Sequence, residues 1–204
     1  MNDTEFAWPS EQIIIVDVEG NGHTPPDLVE LAIAAFPAIK DEAPLSWLIK
    51  PANRITWQAK NIHGIGNSDV ENCPGWYDIK SDVEQELTGK WFVAHNALVD
   101  YSVVKRHLPD WVPAGIIDTL RFARHVYPNA KSHSLAALLT TTGLRDEVSG
   151  ELHRAGEDAR VTALLLAHLV EKSSAKNWIE ICKIAQIQKP TEEKAPPPEQ
   201  GSLW

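Results

Sequence analysis

The chain has 204 residues, 43% hydrophobic and 23% charged, close to the average of folded domains, which excludes global disorder and leaves room for one domain with its own core. No apolar run approaches the roughly 20 residues of a membrane helix, the start MNDTEFAWPSEQ lacks the basic and apolar segments of a secretory signal, and two cysteines, Cys73 and Cys182, cannot build a disulfide framework or a four-thiolate metal site. A formal charge of −9 argues weakly against nucleic acid as a partner, because a site that holds divalent cations itself needs local carboxylates; the setting that fits is a reducing, cytoplasmic one.

Residues 1–12 read as a loose polar lead-in. The β-branched run Ile13-Ile14-Ile15-Val16-Asp17-Val18, bounded by Gly20-Asn21-Gly22, predicts a buried strand ending in a turn. Leu28 to Phe36 and Leu45 to Ile49 follow as two further strands, giving a three-stranded antiparallel meander. After Pro51 the chain turns to helix and loop: Ser81 to Leu87 reads as a helix, Trp91 to Ala94 as a fourth strand, Asp100 to His107 as a helix and Gly115 to Ile117 as a fifth strand. Helical patterns then cover Thr119 to Val126, Ser134 to Thr142, Asp158 to Lys172 and Lys176 to Ile187. Strands first, then strand–helix alternation, predict an α/β fold with helices on a mixed sheet. The eight tryptophans read as packing residues, with stacking on a base as the alternative.

Alternation along the first strand puts Ile13, Ile15, Asp17 and Glu19 on one face. Two carboxylates so placed repel each other; they either sit solvated in the turn or hold a divalent cation, which converts repulsion into binding. Asp100, after His95-Asn96-Ala97-Leu98-Val99, falls where a helix begins and suits either an N-cap or a metal ligand. Asp158 shares a helix face with Val161, Leu165 and Leu169 and so points toward the sheet, where a buried carboxylate needs a cation or several donors. His153, in the loop just before it, is a candidate general base, since imidazole titrates near neutrality.

The ordered set Asp17-x-Glu19, Asp100 after HNALV, and His153-x4-Asp158, with Ile62-His63-Gly64-Ile65 and Asp118-Thr119, resembles the DEDDh (DnaQ-like) 3′→5′ exonuclease superfamily, most of all the bacterial exonuclease X and polymerase III proofreading types. The resemblance spans roughly residues 13–172. It implies a ribonuclease-H-like mixed β-sheet of three antiparallel strands plus two further strands, flanked by α-helices. It also implies two Mg²⁺ or Mn²⁺ ions on Asp17, Glu19, Asp100 and Asp158, and His153 as the base that deprotonates the attacking water. Gly20, His63, Asn96 and Arg154 stand at substrate-binding positions, and Arg121, Arg124 and Lys131 are further candidate phosphate contacts. His63 suits equally a structural loop position, and Asp118 an N-cap. The sequence departs from the family pattern at Gly20 and Asn21, which replace hydroxyl-bearing residues beside the terminal nucleotide, and at Val99, where Phe is common.

Residues 13–187 are thus expected to form the exonuclease domain and 188–199, rich in proline and charge, a flexible linker. The terminal Gln200-Gly201-Ser202-Leu203-Trp204 resembles the bacterial sliding-clamp-binding pentapeptide, with Gln200 as polar anchor and Leu203 and Trp204 as pocket fillers; the alternative is a frayed terminus. The expected function is a metal-dependent 3′→5′ DNA exonuclease that releases nucleoside 5′-monophosphates in repair, proofreading or DNA degradation. An RNA 3′ exonuclease and a non-catalytic recruitment module are the alternatives. No membrane partner is expected.

Overall fold

The protein's computed structural model describes residues 6–38 and 42–188. One mixed sheet organises the chain. Strands β1 (Ile13–Gly20), β2 (Leu28–Phe36) and β3 (Leu45–Leu48) form the antiparallel meander, while β4 (Trp91–Ala94) and β5 (Gly115–Asp118) join β1 in parallel, in the order β3-β2-β1-β4-β5. The fold class expected from the sequence is therefore observed. The carboxyl ends of β1, β4 and β5 share one edge, where open α/β sheets place their sites.

The period-two pattern of β1 assigns its two faces. Ile13 and Ile15 pack under the long helix α6 (Ala155–Lys172), and Ile14 and Val16 pack with α2 (Trp76–Leu87) and α3 (Leu98–His107) on the opposite face. Small residues let α6 come close: Ala32 and Ala34 of β2 meet Ala155, Ala159 and Ala163 in one core. The helix α1 (Trp57–His63) lies beside the turn after β1 and carries a small core of its own with Val29 and Ile55. Helices α4 (Thr119–Val126), α5 (Leu135–Thr142) and α7 (Trp178–Ala185) complete the layer on the α6 side.

Several boundaries differ from the sequence expectations, each for a local reason. The IHGI segment is half helical, with Ile62 and His63 ending α1: Thr56 caps that helix through a bond from Ala59 N, and Gly64 closes it in the left-handed conformation. Helix α2 begins at Trp76 rather than Ser81, opened by Gly75 with the Asp78 carboxylate on its N–H. Helix α3 begins at Leu98, so Asp100 is not an N-cap but lies in the first turn. Asp118 does cap α4, accepting from Leu120 N. Helix α7 stops at Ala185, after which the Ile187 N–H bonds Ile116 O at the edge of β5. The lead-in is not loose where it is described: Phe6 and Trp8 pack on one another, Trp8 also on Phe36 and Trp178, and Ala7 O accepts from Trp178 N. Residues 189–204, which hold nearly all of the expected linker and all of the pentapeptide Gln200 to Trp204, lie outside the described residues. Among the described residues no helix is long and apolar enough to cross a membrane.

Candidate active site

The face of β1 that starts with Ile13 and Ile15 ends with Asp17 and Glu19, and α6 delivers Asp158 to the same spot one turn after its start. One oxygen from each of Asp17, Glu19 and Asp158 lies within 4.8 Å of the others. Asp100 comes from α3, and its Oδ1 accepts the Val18 N–H at 3.2 Å, which ties that helix to β1 between the two β1 carboxylates. Asp158 is 8% exposed; its Oδ2 accepts from His153 N at 3.2 Å, while its Oδ1 is buried with no hydrogen-bond partner among the described residues.

Burial and mutual repulsion move all four carboxyls the same way. Burial is the larger cause in each case. Asp17 is held well above the usual carboxylate range, with Asp100, Asp158, Glu19 and Glu30 adding repulsion. Glu19 is pushed to about 8 and Asp100 to about 7, the latter against the opposing pull of the backbone bonds it accepts. Asp158 is raised less sharply, with His153 pulling the other way. Crowded, partly desolvated carboxylates with an unpartnered oxygen are unfavourable alone and fit a hard divalent cation, which takes oxygen ligands.

The structure separates the other sequence candidates into two groups. His153 is exposed and has a left-handed backbone (φ 66°), a conformation held by its own N–H on Asp158 and by the helix start that follows. Asn96 is likewise exposed with φ 68°, pinned by its N–H on Asp118 Oδ1. Among the described residues neither side chain makes a hydrogen bond. His63, by contrast, is buried and fully used: its Nδ1 accepts from Ile65 N, so the proton sits on Nε2, which donates to Gly20 O at 3.2 Å. It straps α1 to the end of β1, the structural alternative recognised in the sequence. Asn21 is also buried, and its side chain knots the turn to Asp27 and Asn53.

Arg154 is engaged by a residue the sequence reading missed. Glu30 on β2 faces Glu19 across the strand pair and is 4% exposed. Its carboxylate accepts two bonds from the Arg154 guanidinium, at 2.9 and 3.1 Å, and a third from Ala155 N at 3.0 Å. The start of α6 is thereby clamped to β2, which fixes the position of His153 on one side of the clamp and Asp158 on the other. The signal was present: Glu30 is the one charged residue in a strand whose other eight residues are apolar.

The chain is similar to known exonucleases. The RNase_T family model, described as Exonuclease, matches residues 14–166. The 3′-5′ exonuclease DinG of Bacillus subtilis is 29% identical over 172 residues, covering 79% of this chain and 18% of that protein. Exodeoxyribonuclease 10 of Escherichia coli is 33% identical over 148 residues, covering 72% of this chain and 63% of that protein. The chain thus spans less than two thirds of either relative. A solved structure of Exonuclease X in complex with 5′ overhanging duplex DNA superposes with a TM-score of 0.64 at 30% identity, over 80% of this chain and 93% of that one.

Proposed function

This chain belongs to the RNase_T exonuclease family, and from that premise we propose that it removes nucleotides from the 3′ end of a DNA strand. The observation that carries the reading is the cluster of Asp17, Glu19 and Asp158, in which the buried Asp158 Oδ1 has no hydrogen-bond partner among the described residues. Asp17, Glu19 and Asp158 would hold one divalent ion, and Asp100 joins them in holding a second. Mg²⁺ or Mn²⁺ suits the all-oxygen donor set. Two such ions, when bound, lower the pKa of an attacking water and offset charge on the leaving 3′ oxygen.

The chain's own residues do the rest. His153, exposed beside Asp158, takes the proton of the attacking water. Its backbone bond to Asp158 keeps this residue beside the cluster, and the Glu30–Arg154 clamp holds the start of α6 that follows it. Attack at the terminal phosphodiester leaves a nucleoside 5′-monophosphate and a shortened strand with a free 3′ hydroxyl. DNA is favoured over RNA by the relatives' names, one an exodeoxyribonuclease and one solved with duplex DNA. The two lone cysteines fit work in a reducing cytoplasm. The residue pattern of Gln200 to Trp204 supports a role in docking the enzyme on a sliding clamp, and deleting it should abolish co-elution with the clamp while leaving hydrolysis of free oligonucleotides intact.

The test is incubation of the protein and its His153→Ala variant with 5′-labelled DNA and RNA of one sequence, with Mg²⁺ or with EDTA. A Mg²⁺-dependent ladder shortening from the 3′ end on DNA, slowed by about 10²–10⁴ in the variant, is expected. Cleavage of RNA alone would replace the substrate, and no cleavage of either would leave a recruitment module.

A further inference from the structure

The net charge of −9 is unevenly laid out. All 28 acidic residues lie outside two stretches, 43–68 and 119–145, which together hold seven of the 19 lysines and arginines. These two stretches carry +7 and the rest of the chain −16. The ion pairs all lie outside these stretches, although among the described residues Lys80, Lys105, Lys176 and Lys183 outside them form none either. Lys90, Arg106, Arg154, Arg160 and Lys172, all outside the stretches, form ion pairs, whereas among the described residues no lysine or arginine inside them does. Arg54, Lys60, Arg124 and Lys131 are all exposed.

The fold sets the two stretches on either side of β1's acidic end. The first is sewn to the turn after Glu19: Thr56 N donates to Asn21 O at 2.9 Å, and His63 donates to Gly20 O. The second is sewn to the ends of β4 and β5. His95, just past β4, bonds Thr119 Oγ1 and His133 O, both at 2.9 Å, and Asn96 N bonds Asp118. The loop carrying Lys131 is thus folded back onto the segment that leads into Asp100. Burial holds the His95 ring's pKa down, and the positive charge of Arg124 adds to that effect. Exposed cations outside ion pairs, flanking a carboxylate cluster, make a surface for a polyanion that must reach an anionic site.

We propose that residues 43–68 and 119–145 are two banks that carry the phosphates of the strand upstream of the scissile bond, through Arg54 and Lys60 on one side and Arg124 and Lys131 on the other. This rests on the exonuclease reading for the identity of the polyanion. The banks supply the attraction for an extended strand that the acidic remainder of the chain would repel, and they contribute nothing to a substrate of one nucleotide.

The experiment pairs two readouts. Fluorescence anisotropy with a labelled single-stranded oligonucleotide in Ca²⁺ measures strand binding, and hydrolysis of the p-nitrophenyl ester of thymidine 5′-monophosphate in Mn²⁺ measures the metal site alone. The variants are Arg54→Glu/Lys60→Glu and Arg124→Glu/Lys131→Glu. The control is Lys172→Glu/Lys176→Glu, which begins about 21 Å along α6 from Asp158 at 1.5 Å per residue. Each bank variant should bind the oligonucleotide about tenfold or more weakly at low salt, with a salt dependence shallower by about 0.7 for each phosphate no longer neutralised, and hydrolyse the ester as the wild type does. Binding equal to the wild type, or weakened no more than in the control, would overturn the proposal, as would loss of ester hydrolysis in the bank variants. Wild type that binds through the banks but leaves the ester intact would instead bring down the exonuclease reading.

Discussion

The two halves of β1 lie under the same helix and share one face, yet they contribute to the molecule in opposite ways. Ile13 and Ile15 close against the alanines of α6 and are essentially dry, so they stabilise the fold. Asp17 and Glu19, one and two steps further on the same face, meet Asp158 from the same helix and Glu30 from the next strand, which Arg154 pairs. The apolar half holds the helix in place, and the acidic half uses that rigidity to keep like charges together. The repulsion is concentrated at the carboxyl end of β1.

The largest effect should come from removing a carboxylate. Asp17→Ala or Asp158→Ala should lower kcat/KM on DNA by about 10³-fold or more, with circular dichroism unchanged; activity near wild type would dissolve the contrast between the halves. In the apolar half, Ile15→Ala should cost about 2–5 kcal/mol in denaturant unfolding, whereas Asp17→Asn should raise the stability of the metal-free protein by about 1–2 kcal/mol, because repulsion and desolvation are both relieved. A smaller effect is expected from Glu30→Gln. It should lower kcat by about tenfold with little change in KM, since it loosens the start of α6 without touching substrate, and Arg154→Lys should reproduce part of it.

The pH dependence sharpens the same contrast. Carboxyls raised in the folded state, Glu19 to about 8 and Asp100 to about 7, bind protons that the unfolded chain has already released. Between the ordinary carboxylate range and those values the native state holds more protons, so stability falls as pH rises. Unfolding in EDTA should therefore show the protein more stable near pH 5 than near pH 8, and Asp17→Asn should flatten that slope. Metal affinity should rise over the same interval, because the ligands must deprotonate to bind.

Much of this contrast is legible in the amino-acid sequence. Side-chain alternation alone puts Asp17 and Glu19 on the face of Ile13 and Ile15, and helical spacing turns Asp158 toward the sheet. What local pattern cannot supply is partnership across the chain. Nothing near Glu30 says that its partner is Arg154, 124 residues away, so the arginine reads as a free phosphate contact. Asp100 can be read as a cap as well as a metal ligand because the first turn of α3, Leu98 and Val99, is exposed and apolar and gives no helix-start signal. Helix α1 escapes notice although Thr56 and Gly64 mark its ends, because a seven-residue helix with two buried positions shows too little periodicity. His63 can be read either way, and only the carbonyl of Gly20 assigns it to the scaffold.

The most direct test of the claim that the acidic half is built around a cation is equilibrium unfolding of the wild type and Asp17→Asn, each with EDTA and with Mn²⁺. At a hundredfold excess over the dissociation constant, Mn²⁺ should stabilise the wild type by about 2.7 kcal/mol. It should leave Asp17→Asn nearly unchanged, so that the variant is the more stable protein in EDTA and the wild type gains with metal. Equal stabilisation of both by Mn²⁺, or none of either, would contradict the account.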